Sequence, residues 1–220
     1  MTFYSQCGQD ALVEEIFFKG FKNGVFVDIG AYDGKWINNT LYFEENHQWF
    51  GINIEPIKSL YDRLIINRPN CININCAIDE TEGMCDFCCN NGHSEAISGL
   101  VSHYDQRHKN RVEYENSIHG STSQIIQVET KRLDNILEKY NMKHIHYLSI
   151  DVEGAEFAVI KSINFDKVFI DVIDFENNYD DCSNIILRYL QERGYILYKW
   201  YTDVIMIHKD SVFYKNIEPK

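Results

Sequence analysis

Val25-Phe26-Val27-Asp28-Ile29-Gly30-Ala31-Tyr32-Asp33-Gly34 reads as an apolar strand running straight into a glycine turn. β-Branched and aromatic residues suit a pleated, buried surface. Gly30 lets the chain turn sharply and come close to a ligand, and Gly34 allows close packing at the start of the next segment. Outward from this stretch the same alternation recurs. Residues 10–19 predict a helix stopped by Gly20, residues 36–46 and 57–67 predict two more, and residues 51–54 and 71–77 predict the second and third strands. Strand–helix–strand units with short links build right-handed crossovers and a parallel sheet. Residues 79–123 break this rhythm, being polar, rich in histidine and β-like only at 84–88 and 96–101. So long an interruption predicts an insertion that covers a substrate. Beyond it come an edge strand at 124–128, a helix at 133–140, a strand at 146–150, a helix at 155–162, a strand at 168–175 and a helix at 184–193. A hairpin of 195–201 with 204–208, around Thr202-Asp203, closes the series. The expectation is one α/β domain over 1–220, with a doubly wound, mostly parallel sheet and a C-terminal antiparallel hairpin strand.

Composition narrows the classes. The 220 residues are 45% hydrophobic and 25% charged, a globular balance. Lys and Arg number 21 against 33 Asp and Glu, a formal charge of −12. That sign opposes the counterion-release attraction of nucleic acid and attraction to an anionic membrane surface. No run of about 20 apolar residues exists to span a bilayer. Met1–Gln6 is too polar for a secretory signal, so a soluble, cytoplasmic chain is expected. Seven irregularly spaced cysteines fit free thiols in a reducing compartment. Cys85, Cys88 and Cys89 lack the second ligand pair that a zinc site needs. A homo-oligomer is compatible with all of this.

In an open parallel sheet, ligands bind beyond the carboxyl ends of the strands, where strand order reverses. An NAD fingerprint needs G-x-G-x-x-G, and Tyr32 stands where its second glycine belongs. That glycine gives a pyrophosphate room at the backbone, so its absence argues against a dinucleotide. S-adenosylmethionine carries no pyrophosphate and suits the D-x-G-x-x-x-G spacing of Asp28, Gly30 and Gly34. Glu55, about 25 residues after the turn, is placed to accept hydrogen bonds from both ribose hydroxyls; the plainer alternative is a surface glutamate before a proline. Cys76-Ala77-Ile78 would then border an adenine. Asp151, Glu153 and Glu156 crowd three carboxylates onto one turn at the sheet edge, a costly arrangement unless it has work to do. The alternative is an acidic helix start favoured by the helix dipole.

These segments occur together. Tyr4-Ser5-Gln6-x-Gly8-Gln9-Asp10, Phe26 to Gly34, Asn39-Thr40, Ile54-Glu55-Pro56, Arg132-Leu133-Asp134 and Leu148 to Glu156, in this order, resemble the FkbM family of methyltransferases over residues 4 to about 178. The resemblance implies a Rossmann-like class I fold, S-adenosylmethionine as donor, and O-methylation of sugars or other hydroxylated molecules. It adds Gln6, Ala31, Tyr32, Asp33, Asn39, Thr40 and Pro56 to Asp28, Gly30, Gly34, Glu55, Cys76, Ala77 and Asp151 as donor-binding candidates. Ser98-Gly99-Leu100 resembles a short family element within the insertion. The chain departs at Glu176-Asn177-Asn178, where relatives often carry Glu-His-Asn.

Methyl transfer to a hydroxyl is an in-line displacement, so the protein must align oxygen, carbon and sulfur and assist a poor nucleophile. Two arrangements fit. In one, Asp151 or Glu153 accepts the proton, with Glu176 beside them. In the other, Asp151, Glu176 and Asn177 bind a hard divalent cation such as magnesium, which lowers the pKa of the bound hydroxyl. Ser98, Glu156 and Asn177 are candidates for contact with a sugar or small-molecule acceptor. His93, His103, His108 and His119 offer alternative bases, though a solvated loop histidine is the plainer reading of each. Arg107, His108, Lys109 and Arg111 form a basic knot suited to a phosphate or nucleotide-sugar, or else a solvent-facing polar surface. Trp36 offers an aromatic face. Two other classes remain: a non-catalytic nucleotide-binding or assembly subunit, and a nucleic-acid 2′-O-methyltransferase, which the charge disfavours.

Overall fold

The computed structural model describes residues 2–200 and 202–217. Tyr201, placed by the sequence reading in the terminal hairpin, lies outside the described residues. The main sheet begins with β1 (Val25–Ile29), β2 (Phe50–Ile54) and β3 (Ile72–Ile74), separated by α2 (Leu41–His47) and α3 (Lys58–Asn67). A short helix, α1 (Gln9–Val13), precedes β1 and widens into a π turn over Glu14–Phe18. After a second layer come α5 (Leu133–Lys139), β8 (His144–Ile150), α6 (Glu156–Lys161), β9 (Phe169–Glu176), α7 (Asp180–Gln191) and the hairpin β10 (Tyr195–Trp200) with β11 (Asp203–His208). The strand order is β10-β11-β9-β8-β1-β2-β3. β3, β2, β1, β8 and β9 run parallel, and β11 joins β9 antiparallel. The order reverses between β1 and β8, and a crevice opens there at the carboxyl ends. The arrangement is the doubly wound, mostly parallel sheet with a C-terminal antiparallel hairpin that the sequence predicts.

The sheet is sandwiched. Val27, Ile29, Ile52, Ile54, Leu148, Ile150, Ile170 and Ile173 pack on one side against Leu133, Val159, Ile160 and Leu190 from the helices. Phe26, Tyr147, Val172 and Ile205 face the other way, toward Phe17, Phe18, Phe43 and Trp49. Each large side chain so buried contributes about 1.5–3 kcal/mol.

Four elements differ from the sequence expectation. The predicted helix at 36–46 starts only at Leu41, because Ile37 takes φ +45° and Asn38 Oδ1 accepts the Thr40 and Leu41 N–H groups. The predicted third strand at 71–77 splits. Asn75 Nδ2 donates to the carbonyls of Glu55 and Pro56 (2.8 and 2.9 Å), and the chain leaves the main sheet to form β4 (Ala77–Ile78) elsewhere. That second sheet has the order β4-β7-β5-β6, with β5 (Gly83–Asn90), β6 (Gly99–Leu100) and β7 (Ser123–Lys131). The segment expected at 124–128 as an edge strand is part of this longer strand; β4 reaches only Thr130 and Lys131, so 124–128 pairs with β5 alone and keeps an open edge. The insertion also contains α4 (Gln106–His119), a helix the sequence reading leaves as loop. No helix among the described residues is long and apolar enough to cross a membrane.

Candidate active site

The crevice is a cavity of about 280 Å³ at the carboxyl ends of β1, β2, β8 and β9. Gly30 sets its floor: a Cβ there would lie 1.8 Å from the Asp151 carbonyl oxygen, so only glycine lets the ends of β1 and β8 come together. Glu55, at the end of β2, accepts the Tyr32 N–H (3.1 Å) and the Ile57 N–H (2.7 Å). Its residue is 4% exposed, and burial pushes its carboxyl up to about 8. Further hydroxyl donors would compensate that desolvation. Ile57, Leu60, Ala77, Ile78 and Phe87 make the apolar wall beside it.

The opposite end is acidic. Asp151, Glu153 and Glu176 each bring one carboxylate oxygen within 4.8 Å of the other two. Asp151 is exposed to the open cleft with protein packed densely around it; that crowding, then Glu156 and Asp203, raises it to about 7. Burial and Asp151 raise Glu153 to about 8, against the pull of Arg111 3.4 Å away. Glu176 is pushed well above the carboxylate range by burial, Asp151 and Glu153. Asn178 ties the group together, donating to Glu153 (3.1 Å) and Glu176 (2.6 Å). Such a set holds at least one shared proton near neutrality and can give or take it.

The N-terminal motif closes one side of the cleft. Asp10 gathers the Tyr4 N–H (2.6 Å) and Ser5 Oγ (2.5 Å), which folds Gln6 into the lining. Gln9 Nε2 donates to Asp203 (2.6 Å) at the start of β11. The insertion supplies Phe87, Glu95, Ile97, Ser98, Leu100 and Arg111. Glu95 is hydrogen-bonded to the Tyr32 hydroxyl, linking the insertion to the turn after β1.

Of the residues singled out in the sequence for the donor, the acceptor or a metal, Gln6, Gly30, Tyr32, Glu55, Pro56, Cys76, Ala77, Ile78, Ser98, Leu100, Arg111, Asp151, Glu153 and Glu176 line the cleft. The others do not, and each has another partner. Asp28 points to the Phe26 side of β1 and accepts from Asn38 Nδ2 and Thr40 Oγ1, both at 2.9 Å. Thr40 is fully buried against Arg68, and Asn39 donates to Ser149 Oγ (3.0 Å). Ala31 is buried, Asp33 caps the Lys35 and Trp36 N–H groups, and Gly34 packs on Leu64 and Arg68. These residues shape the loop beside the cleft. Glu156 folds back to accept the Gly154 N–H (2.9 Å), and Asn177 turns to Asp180 (3.1 Å). Of the ligand set expected from the sequence, Asp151 and Glu176 come together with Glu153, while Asn177 Nδ2 is engaged by Asp180. Trp36 lies tilted against Tyr32, with ring centroids 5.3 Å apart, outside the lining.

The cations of the basic knot have partners within the chain, apart from exposed Lys109. Arg107 grips Asp105 and Asp181, His108 is buried with Nε2 on the Ile97 carbonyl, and Arg111 is shared by Glu115, Glu153 and Asn178. Among the described residues no histidine lines the cleft. Asp203, Glu95 and Thr202 line it without having been foreseen. The acid in the hairpin turn carries no local motif, and only the fold brings it to Gln9. Glu55, Glu95, Asp151, Glu153, Glu176 and Asp203 thus face Arg111 as the sole guanidinium or ammonium group of the described lining. Such a lining is rich in hydrogen-bonding carboxyl groups and offers little positive charge.

No curated protein matches the chain. Two solved structures resemble it at low identity: precorrin-6y C5,15-methyltransferase from Geobacter metallireducens GS-15 and a candidate rRNA-methylase from Clostridium thermocellum. The first has 9% identity and a TM-score of 0.48, over 90% of this chain and 85% of that one. The second has 7% identity and a TM-score of 0.46, over 94% and 97%. The profile of the Methyltransferase FkbM domain matches residues 28–197, from the β1 carboxylate to the start of the terminal hairpin, and the chain belongs to that methyltransferase family.

Proposed function

We propose that this chain is an O-methyltransferase that uses S-adenosylmethionine to methylate a hydroxyl of a sugar, glycan or similar phosphate-free molecule. The reading rests above all on the cluster of Asp151, Glu153 and Glu176, one carboxylate oxygen of each within 4.8 Å of the other two, lining the cleft at the ends of β8 and β9. When bound, S-adenosylmethionine supplies an activated methyl on sulfur. Glu55 would hold its ribose and the Ile57–Ala77–Phe87 wall its adenine, and the acidic end would face the sulfonium charge. Asp151, poised near neutrality, accepts the acceptor's hydroxyl proton, and Glu153 and Glu176 stabilise the protonated form. The insertion, through Ile97, Ser98, Leu100 and Arg111, covers the acceptor. Nucleotide-sugars and nucleic acid are disfavoured by a described lining whose one cation, Arg111, is already shared by Glu115, Glu153 and Asn178, and by the −12 charge.

A second reading draws on the three clustered oxygens of Asp151, Glu153 and Glu176: a hard divalent cation held there would polarise the hydroxyl directly. Transfer to a panel of neutral sugars, read by mass shift, tests the proposal. Asp151→Asn should lower kcat about 10²–10⁴-fold with little change in KM for the donor. Full activity after exhaustive chelation supports base catalysis, and loss restored by magnesium supports the cation. Donor binding without transfer to any hydroxyl acceptor would point to a non-catalytic subunit.

A further inference from the structure

At the other end of the sheet, β8 carries a second cluster. His144 and His146 are two apart on a strand and so project to one face. The parallel register sets Asp171 of β9 beside His146, since Ile145 pairs with Ile170 and Tyr147 with Val172. His144 Nε2 lies 2.6 Å from Asp171 Oδ2, and the two imidazoles stack with centroids 4.4 Å apart. One ligand atom from each residue falls within 4.8 Å of the other two. Seven residues of extended strand put this cluster roughly 20 Å from Asp151.

Asp171 is fully buried. Its Oδ1 accepts from Ser211 Oγ (2.5 Å), which fixes the carboxylate, and its recorded ion pair is with His144. His144 keeps its side chain 48% exposed, so the cluster opens to solvent. Phe21 lies 5.1 Å from the His146 ring and Phe169 5.4 Å from that of His144, a largely apolar surround that strengthens ligation by limiting water. Two imidazoles and one carboxylate are a borderline donor set. It favours zinc, cobalt, nickel or copper over magnesium or calcium.

We infer that His144, His146 and Asp171 form a binding site for a single divalent transition-metal ion, remote from the methyl-transfer cleft. One contact must give way. His146 Nδ1 accepts the Val25 N–H (2.9 Å), so ligation through Nε2 moves the ring proton to Nδ1 and releases that amide. Val25 is half-buried at the start of its strand, where water can replace the lost partner. The bound ion would tie β8 and β9 together and, through Ser211, fasten the segment after β11.

The test uses the full chain stripped of metal and titrated with cobalt(II) alone, then with zinc(II) as competitor. The expected result is one equivalent of cobalt, with visible d–d absorption and no sulfur charge-transfer band, displaced by zinc. His144→Ala and His146→Ala should each weaken binding roughly 100-fold, and Asp151→Asn should leave it unchanged. The Val25 amide resonance should shift on adding diamagnetic zinc to the wild-type chain. The inference is overturned by absence of stoichiometric binding, by a thiolate band, by affinity indifferent to His144→Ala, or by a Val25 resonance that stays in place.

Discussion

Asp28 and Glu55 are both carboxylates at the mouth of the sheet, and side-chain direction separates their fates. Asp28 shares a strand face with Phe26 and is consumed by Asn38 and Thr40. Glu55 follows Ile54 out of β2 and meets the cleft with both oxygens fixed by backbone N–H donors. The period of two in Phe26-Val27-Asp28-Ile29 contained this distinction: Val27 and Ile29 go to one core, Phe26 to the other. Motif spacing located the turn, and strand parity would have corrected its residue roles. Glu55→Gln keeps the shape but aims an NH₂ at one of those backbone donors. Donor affinity should fall about 10–100-fold, the worth of a charge-assisted hydrogen bond pair, with the fold retained. Calorimetry and circular dichroism check both halves.

At the scale of elements, the parallel strands were legible because each is a compact apolar run between turn residues. The insertion was not. α4 buries only His108 and Val112, so it shows no apolar stripe, although Asp105 at its start and Gly120 (φ +66°) at its end are ordinary cap signals. What α4 contributes is Arg111, brought to the turn after β8. The guanidinium lowers the cost of ionising Glu153 and Glu176. If Asp151 is the base, kcat/KM rises as pH passes through about 7 and levels off above. Arg111→Ala removes a favourable charge from the coupled carboxylates, so that rise should move to higher pH. A profile that stays in place would separate Arg111 from the proton-sharing group.

For the whole molecule, acidity is concentrated where stability is spent on function. Glu55, Asp151 and Glu153 have folded-state values of about 8, 7 and 8, above the ordinary carboxylate range near 4. Between those limits the folded chain binds more protons than the unfolded one, so these groups make stability fall as pH rises from about 5 to 8. Their contribution is fully present below about pH 4 and gone above the folded values. Thermal melts of the ligand-free chain should show this slope, Asp151→Asn should flatten it, and saturating donor should raise the melting temperature most at the alkaline end.

Calorimetric titration of the intact chain with S-adenosylmethionine and, in parallel, with NAD measures what the cleft was built to hold. The account predicts one molecule of S-adenosylmethionine per chain and no heat from NAD. NAD binding, or an S-adenosylmethionine isotherm unchanged in Glu55→Gln, would contradict it.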